Sequence, residues 1–368
     1  MKLFHISDSH LRDLQYSRKA RSADFLNGFL AAVDKAAELK VDYVIHTGDI
    51  FNSKRPSSNM FDQLREINRR LISHGLQMIT ISGNHDKTKP AWFNQLDNTT
   101  DAVGIKCIDN SEFTIHSPDN TLQLTFKNPA ATTAEQLRVW FASEDSTCDI
   151  VLWHGMVKEF CGFPVDGTFE LEEFPVNKYR AIMLGDIHIT KTELLADGTP
   201  VSYPGSTELC ELGEPFNKYG LLYEFGGSRF PTITQVPFET RPAYMLEVTK
   251  EEHLIPVVEK LKEFAASGVK PIVGYYYSPK VRNVLKSARE VFGADDGILR
   301  PVPIIDDAPL DAPAVTSEQV KLTLTDLIAE FFFVSTDPIY ELAVALASPG
   351  IVDVETEASA FIDAKLGV

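Results

Sequence analysis

The sequence predicts an α/β protein with a layered β-sandwich core flanked by helices, followed by a small α+β cap domain and C-terminal helices. Over residues 1–226, short apolar stretches typical of strands alternate with longer stretches of helical periodicity. A proline-rich, acidic stretch at residues 301–315 is typical of a linker. We therefore expect a core domain, a cap domain, this linker and a helical segment, at residues 1–238, 239–300, 301–315 and 316–368.

The spacing of apolar residues predicts the strands and helices of the core. Five apolar runs predict strands at residues 2–7, 42–47, 77–82, 149–153 and 180–184. Two amphipathic stretches predict helices at residues 22–40 and 57–74, the first with an apolar stripe of Phe25, Phe29, Val33 and Ala36. His5 and His46 lie inside two of the strands, so we expect them to be structural or to support the ligands from behind.

The remainder of the chain predicts a smaller βαβα unit and a pair of helices. The unit has strands at 243–248 and 271–277, each followed by a helix, the second at 279–292. Beyond the linker, Thr316 and Gln319 form a capping-box pattern ahead of an amphipathic helix, and a second short helix fits residues 337–347. Such a pair either packs back on its own domain or docks on a partner, and the pattern is compatible with both.

The composition is that of a soluble globular protein, with 44% hydrophobic and 24% charged residues. Four widely spaced cysteines argue against a zinc ribbon or a disulfide framework and fit a reducing compartment. The polar start of the chain and the lack of a long apolar run predict neither a signal peptide nor a membrane span.

The net charge of −17 argues against nucleic acid, but residues 1–100 hold 14 Lys and Arg against 11 Asp and Glu. The acidity is concentrated in residues 301–368, with 12 acids against two lysines.

Polar residues follow each of the five predicted strands. In chain order they are Asp8, His10, Asp49, Asn84, His85, Asp86, His154, Asp186 and His188. The carboxyl ends of strands in an α/β sheet converge on one crevice, so these side chains are expected to meet. Each motif alone has an ordinary explanation as a turn, a helix cap or a structural histidine. Together, carboxylate, imidazole and amide oxygen suit a pair of divalent ions such as Mn²⁺, Mg²⁺ or Fe²⁺, which can clamp a phosphate and activate water.

The motifs SDSH, TGDIF, SGNHD, WHG and LGDIH resemble those of the calcineurin-like metallophosphoesterase superfamily. The stretches TGDIFNSKRPS and YPGSTELCELGEPFNKYG are similar to the SbcD-type nuclease subunit of double-strand-break repair and phage recombination complexes. The resemblance covers about residues 1–230 and implies a metallophosphoesterase core with two divalent ions, Mn²⁺ being expected and Mg²⁺ the alternative. It also implies DNA as substrate, an SbcC-type coiled-coil ATPase as partner, a homodimer, and the cytoplasm of a bacterium or a phage-infected host. By position, the cap domain would face DNA and the C-terminal helices would bind the ATPase.

The resemblance also implies a role for each candidate residue. Asp8, His10 and His188 would bind the first metal. Asp49 would bridge the two ions. The second metal would be held by Asn84, His154 and Asp186. His85 would stabilise the scissile phosphate and protonate the leaving oxygen, and its neighbour Asp86 would orient the imidazole.

Two residues depart from the pattern of the superfamily. Asp186 stands where members commonly carry His, and either binds the second metal as a hard carboxylate ligand or only caps a turn. Asn52 stands where a second catalytic histidine is often found, so only a hydrogen bond to phosphate or water is expected of it.

Basic residues after the motifs predict contacts with a DNA backbone. These candidate contacts, with Asn52, are Arg12, Lys54, Arg55, Lys87 and Lys89. A second candidate strip on the cap-domain helix fits a solvated face equally well and comprises Lys280, Arg282, Lys286 and Arg289. The helix at 57–74 carries an apolar stripe that fits either a dimer interface or the core, namely Phe61, Leu64, Ile67 and Leu71.

The leading hypothesis from the sequence is a metal-dependent DNA nuclease, acting as exonuclease or endonuclease at DNA ends with the ATPase. One alternative is a phosphatase or phosphodiesterase for a small substrate, which would not need the cap domain, linker or terminal helices. Another is a non-catalytic assembly subunit whose metal site has degenerated at Asp186.

Overall fold

The computed structural model describes residues 1–15, 19–86, 104–109, 112–161, 168–248, 271–277 and 298–303, together with the helical positions 259, 262, 263 and 266. The chain divides into the units Met1–Ile304 and Ile305–Val368. The second unit, which contains the predicted C-terminal helices, lies outside the described residues. The predicted helix at 279–292 and its basic strip also lie outside them.

The described part of the chain contains fifteen strands and three α-helices. The strands are β1 (Lys2–Ile6), β2 (Tyr43–His46), β3 (Gln77–Thr80), β4 (Ile105–Cys107), β5 (Glu112–His116), β6 (Gln123–Lys127), β7 (Ile150–His154), β8 (Ala181–Gly185), β9 (Lys191–Leu194), β10 (Pro200–Tyr203), β11 (Lys218–Glu224), β12 (Thr232–Phe238), β13 (Ala243–Val248), β14 (Ile272–Tyr277) and β15 (Ile298–Pro303). The helices are α1 (Ala20–Glu38), α2 (Ser58–Ser73) and α3 (Ala134–Ala142). Short 3₁₀ turns lie at Glu144–Ser146, Lys158–Phe160 and Leu171–Glu173.

The strands form two six-stranded sheets and one three-stranded sheet. The first sheet has the order β12-β11-β1-β2-β3-β4, and the second has the order β5-β6-β7-β8-β10-β9. Within them, β1 to β4 are parallel, and so are β6, β7, β8 and β10. The carboxyl ends of parallel strands lie at the same edge of a sheet. The candidate residues therefore lie in neighbouring loops, which follow β1, β2, β3, β7 and β8.

The strands of the two large sheets are apolar on both faces, so each sheet packs against the other sheet on one face and against helices on the other. Leu3 of β1 and Met183 of β8 belong to one buried cluster between the sheets. Phe4, the next residue of β1, packs with α1 and α2 on the opposite face. On the far side of the second sheet, Leu184 packs in a cluster with α3. The order of layers is therefore α-β-β-α, as the sequence predicts.

The two helices of the core begin and end close to the predicted positions. The predicted apolar stripe of α1 is fully buried. Ser57 caps α2, its Oγ accepting a hydrogen bond from the Met60 amide at 3.2 Å. Leu64, Ile67 and Leu71 are buried in the chain's own core, so the apolar stripe of α2 does not indicate a dimer.

The five predicted core strands are confirmed as β1, β2, β3, β7 and β8. The predicted strands of the smaller unit are present as β13 and β14, which are parallel neighbours. The sequence analysis did not predict β15, which pairs in parallel with β14. One boundary needs correction, because residues 301–303 belong to this strand and not to the linker. No α-helix within the described residues is long and apolar enough to cross a membrane.

Candidate metal centre

The loops after five strands bring all seven predicted metal ligands together where the two large sheets meet. Three of these strands belong to the first sheet and two to the second. The loops are joined across the sandwich, since the Asp186 amide donates to the Asp8 carboxylate at 3.1 Å from Oδ2. Within the first sheet, the Asp8 amide donates to Gly48 O at 3.1 Å. Residues that lie 180 positions apart in the chain thus line one crevice.

The first group of ligands surrounds two histidines whose Nε2 atoms face each other. These atoms, in His10 and His188, are 3.1 Å apart. Each lies 3.9 Å from Oδ1 of Asp8. Two imidazole nitrogens that point at the same place beside a buried carboxylate are the donor arrangement of a divalent metal site.

The second group surrounds His154. Its Nε2 lies 3.4 Å from Oδ2 of Asp49 and 3.5 Å from Oδ1 of Asp186. The side-chain Nδ2 of Asn84 donates to the same oxygen of Asp186 at 3.3 Å. Asp186, which stands where the superfamily commonly has His, therefore lies beside His154 and Asn84, at the position of a ligand.

Asp49 lies between the two groups. Its Oδ2 is 3.8 Å from Nε2 of His10 in the first group and 3.4 Å from Nε2 of His154 in the second. Its Oδ1 accepts the His85 amide at 2.9 Å, which fixes the carboxylate. This is the position that a bridging ligand would occupy.

The backbone is strained at these corners. Asp8, His10, Asp49 and Asp186 have φ angles of 52°, 44°, 55° and 99°, in the left-handed region that non-glycine residues rarely adopt. Such conformations persist where the surroundings enforce them, and they cluster at functional sites. Close packing adds a further constraint, because a Cβ on Gly83 would clash with Asp49. The close approach of the two loops therefore requires glycine at position 83.

Hydrogen bonds to the remote nitrogens orient two of the histidines. Nδ1 of His154 faces the Thr47 carbonyl oxygen at 2.8 Å. A carbonyl only accepts, so Nδ1 carries a proton and Nε2 is the nitrogen that faces the other candidate ligands. Nδ1 of His188 is 2.7 Å from Oε1 of Glu214, again leaving Nε2 free to bind. Both arrangements are typical of metal-binding histidines.

Glu214 is a further candidate residue of the site that the sequence motifs did not reveal. It is held by the buried Lys218, whose Nζ donates at 2.6 Å, and it in turn orients His188. The stretch ELGEPFNKYG was used only for the family resemblance. The pairing of an acid and a lysine four residues apart was the available signal, but it does not reveal contact with a histidine 26 positions away.

The electrostatics of the crevice favour a bound cation. Burial raises the pKa of Asp8 to about 6, despite the opposing effects of His154 and His188. Burial also lowers the pKa of His10 well below its usual value, so a proton is poorly held there. Burial lowers the pKa of His154, but its contacts with Asp186 and Asp49 outweigh this effect and raise that pKa well above its usual value. The buried carboxylates are costly unless paired with positive charge, and divalent ions would supply it. The residues present fit a two-metal centre.

His85 lies at the edge of the ligand cluster. Its ring is half-buried and packs edge-on against the His10 ring with a centroid distance of 5.3 Å. Its amide is bound to Asp49, so the backbone of His85 is anchored beside the bridging position.

Asp86 does not orient His85, which corrects the prediction. Its carboxylate accepts the amides of Ile50 and Phe51 at 3.0 Å and of Gly83 at 3.3 Å. Asp86 is buried, and these bonds tie the loop after β2 to the loop after β3. From the sequence alone, Asp86 could either pair with the neighbouring His85 imidazole or accept hydrogen bonds from backbone amides.

The predicted DNA-contacting residues divide into three classes. The predicted DNA contact of Arg12 needs correction, because its side chain is buried, donates to His10 O at 3.0 Å and lies over the Phe25 ring. Lys54 and Arg55 are exposed, and Asn52 is half-buried, after the loop that carries Asp49. Lys87 and Lys89 lie outside the described residues.

The sandwich and its paired ligand groups define a phosphoesterase with a dinuclear metal centre, and comparison with known families agrees. A family model described as calcineurin-like phosphoesterase matches residues 1–190, which is more than half of the chain and includes all seven ligands. The chain belongs to the calcineurin-like phosphoesterase family.

Individual relatives agree with the narrower resemblance. The chain is 27% identical over 302 residues to the DNA double-strand break repair protein Mre11 of Haloferax volcanii, covering 81% of this chain and 66% of the relative. It is also 27% identical over 306 residues to the protein of the same name from Methanococcus maripaludis, covering 78% of this chain and 80% of the relative. Among solved structures, TT1561 of Thermus thermophilus is similar with a TM-score of 0.42 and 13% identity, covering 64% of this chain and 98% of that one.

Proposed function

We propose that this protein is a metal-dependent DNA nuclease that hydrolyses phosphodiester bonds at DNA ends. The observation that carries the proposal is the placement of Asp49 between two ligand groups, with His154 Nε2 buried beside the Asp49 and Asp186 carboxylates. Relatives named for DNA double-strand break repair support DNA as the substrate. Two exposed basic residues, Lys54 and Arg55, follow the Asp49 loop and would guide a phosphate backbone.

The metal centre would hold two divalent ions. Asp8, His10 and His188 would hold the first, Asn84, His154 and Asp186 the second, and Asp49 both. Oxygen and imidazole donors suit Mn²⁺, with Mg²⁺ as the alternative. When bound, such ions supply a hydroxide near neutral pH and offset negative charge on the phosphate.

The protein's own side chains would orient and protonate the substrate. The half-buried His85 imidazole, anchored through its amide to Asp49, would donate a proton to the leaving oxygen. The remote hydrogen bonds to His154 and His188 keep their Nε2 atoms aimed into the crevice. Asp86 would maintain the geometry of the Asp49 corner through the amides that it binds.

The remaining assignments also belong to this proposal. The cap domain, residues 239–300, would face DNA, and residues 316–368 would bind an SbcC-type coiled-coil ATPase. The protein would act as a homodimer in the cytoplasm, in DNA repair, recombination or replication. Deletion of residues 316–368 should abolish ATPase binding, and a truncated chain that still binds fully would contradict this assignment.

The nuclease proposal is tested with linear duplex DNA and a small chromogenic phosphodiester, each with Mn²⁺ and with or without the ATPase. His85→Ala should lower DNA cleavage by about 10²–10⁴-fold, the usual contribution of a general acid. His116→Ala, a change at an exposed histidine of β5, is the matched control and should leave cleavage unchanged.

Asp49→Ala should abolish cleavage together with metal binding. Wild-type cleavage that survives both the Asp49 and His85 substitutions would contradict catalysis at this site. Activity on the small diester without activity on DNA would favour a small-substrate phosphodiesterase.

A further inference from the structure

A third kind of donor lies beside the facing histidines of the first group. Sγ of Cys210 and the ligand nitrogens of His10 and His188 all lie within 4.8 Å of one another. Cys210 is 7% exposed and lies in the loop between β10 and β11. Cys210 lies in the stretch YPGSTELCELGEPFNKYG, but it is not among the proposed metal ligands.

The backbone of Cys210 is held in place by the residue that orients His188. Oε2 of Glu214 accepts the Cys210 amide at 3.1 Å, while Oε1 lies 2.7 Å from Nδ1 of His188. On the other side of the loop, Gln15 Nε2 donates to the Cys210 carbonyl at 2.5 Å. One carboxylate therefore positions an imidazole and a thiol relative to each other.

The contacts of the sulfur with its neighbours outside the metal centre are long. Nη2 of Arg12 lies at 3.9 Å and the Glu208 carbonyl at 3.6 Å. These are weak hydrogen bonds, so little would be lost if the sulfur turned to a metal instead. The buried setting also limits competition from water.

The spacing of the donors matches a compact metal site. The Nε2 atoms of His10 and His188 are 3.1 Å apart. Two nitrogens bound to tetrahedral zinc at about 2.0–2.1 Å lie roughly 3.3 Å from each other. Oδ1 of Asp8, at 3.9 Å from both nitrogens, offers a fourth donor.

We propose that Cys210 is an additional ligand at the first metal position and that it gives this position a preference for softer divalent ions such as Zn²⁺ and Co²⁺. Thiolate donors select such ions, whereas Mn²⁺ and Mg²⁺ prefer oxygen. The second position, built from Asp49, Asn84, His154 and Asp186, lacks sulfur and keeps its preference for hard ions. The two positions would therefore differ in ion selectivity. This inference rests on the proposed metal centre but not on DNA as the substrate.

Cobalt provides the test, because a thiolate bound to Co²⁺ gives a near-ultraviolet sulfur-to-metal charge-transfer band. The full-length protein loaded with Co²⁺ should show this band, and Cys210→Ser should lose it while still binding Co²⁺. Cys148→Ser, a change at a half-buried cysteine outside the metal centre, is the control and should keep the band. Zn²⁺ affinity should fall by about 10–100-fold or more in Cys210→Ser, the loss seen when even an outer partner of a ligand is removed. Mn²⁺ affinity should change little.

X-ray absorption of the Zn²⁺-loaded wild-type protein gives a second readout that needs no variant. It should show a sulfur neighbour at about 2.3 Å. Wild-type protein that binds Co²⁺ or Zn²⁺ without a sulfur signature would overturn the inference and leave the metal centre intact. Protein that binds neither ion in equilibrium dialysis would contradict the metal centre as well.

Discussion

The Glu214 carboxylate lies 2.7 Å from Nδ1 of His188 and so fixes the orientation of that imidazole. The same carboxylate is paired with the buried Lys218 and accepts the Cys210 amide. The acid is therefore a support for one side of the metal centre, although it lies in a different loop from His188, the ligand that it orients.

Glu214→Gln should weaken metal binding at the first position. The amide cannot polarise the imidazole as a carboxylate does, so we expect about a 10–100-fold loss of Mn²⁺ affinity in calorimetric titration. Glu211→Gln, at an exposed position in the same loop, should have no effect. Equal Mn²⁺ affinities for the Glu214 variant and the wild type would rule out this supporting role.

Asp186→Gly should remove the second ion without disturbing the fold. Asp186 has a φ of 99°, which glycine adopts freely, so the change deletes the carboxylate while relaxing the backbone. We expect Mn²⁺ stoichiometry to fall from two ions to one per chain in equilibrium dialysis.

Asn120→Gly makes a comparable change at an exposed turn with a φ of 55° and should keep both ions. Two ions bound to the Asp186 variant would show that this residue only shapes the turn.

Asp86→Ala should destabilise the protein, because the amides of Ile50, Phe51 and Gly83 would lose their acceptor. With chelator present, the free energy of unfolding should fall by about 3–5 kcal/mol. His85→Ala keeps the backbone bond to Asp49 and should cost less than about 1 kcal/mol. Similar urea midpoints for Asp86→Ala and the wild type would contradict the structural role of this acid.

Arg21→Ala should be strongly destabilising as well. Arg21 is fully buried and bonds Oε1 of Glu208 at 3.2 Å and the Leu209 carbonyl at 2.7 Å. Its loss leaves Glu208 buried without its cation, at a cost of about 3–5 kcal/mol in urea unfolding. Arg65→Ala breaks an exposed pair with Asp62 and should change stability by less than about 1 kcal/mol. If the two variants unfold at the same urea concentration, the buried pair is not important for stability.

The sequence predicted the parts of the fold that have a strong local pattern. The central strands are continuous apolar runs because both faces are buried, and their polar ends reveal the crevice. Strand β12, with residues Thr232–Phe238, was not predicted although its Thr, Ile and Val residues favour strands. It lies at a sheet edge, is mostly exposed and contains Pro237, so it lacks the continuous apolar run of a central strand.

Within the candidate site, the sequence predicted which residues meet but not which way each side chain turns. Asp86 and Arg12 lie beside ligands in the chain, yet both turn towards the protein interior. Cys210 and Glu214 lie in the stretch YPGSTELCELGEPFNKYG, outside the five ligand motifs, and reach the crevice only through the loop between β10 and β11. Long-range approach of this kind depends on packing, and one sequence does not encode it as a local pattern.

The candidate ligands come from both halves of the sandwich, with Asp8 and Asp49 after strands of one sheet and His154 and Asp186 after strands of the other. Ions held among them would cross-link the halves, so metal supply would help to set how far the protein can be heated before it unfolds. A cell starved of metal would then face a shortage of folded protein as well as a shortage of activity.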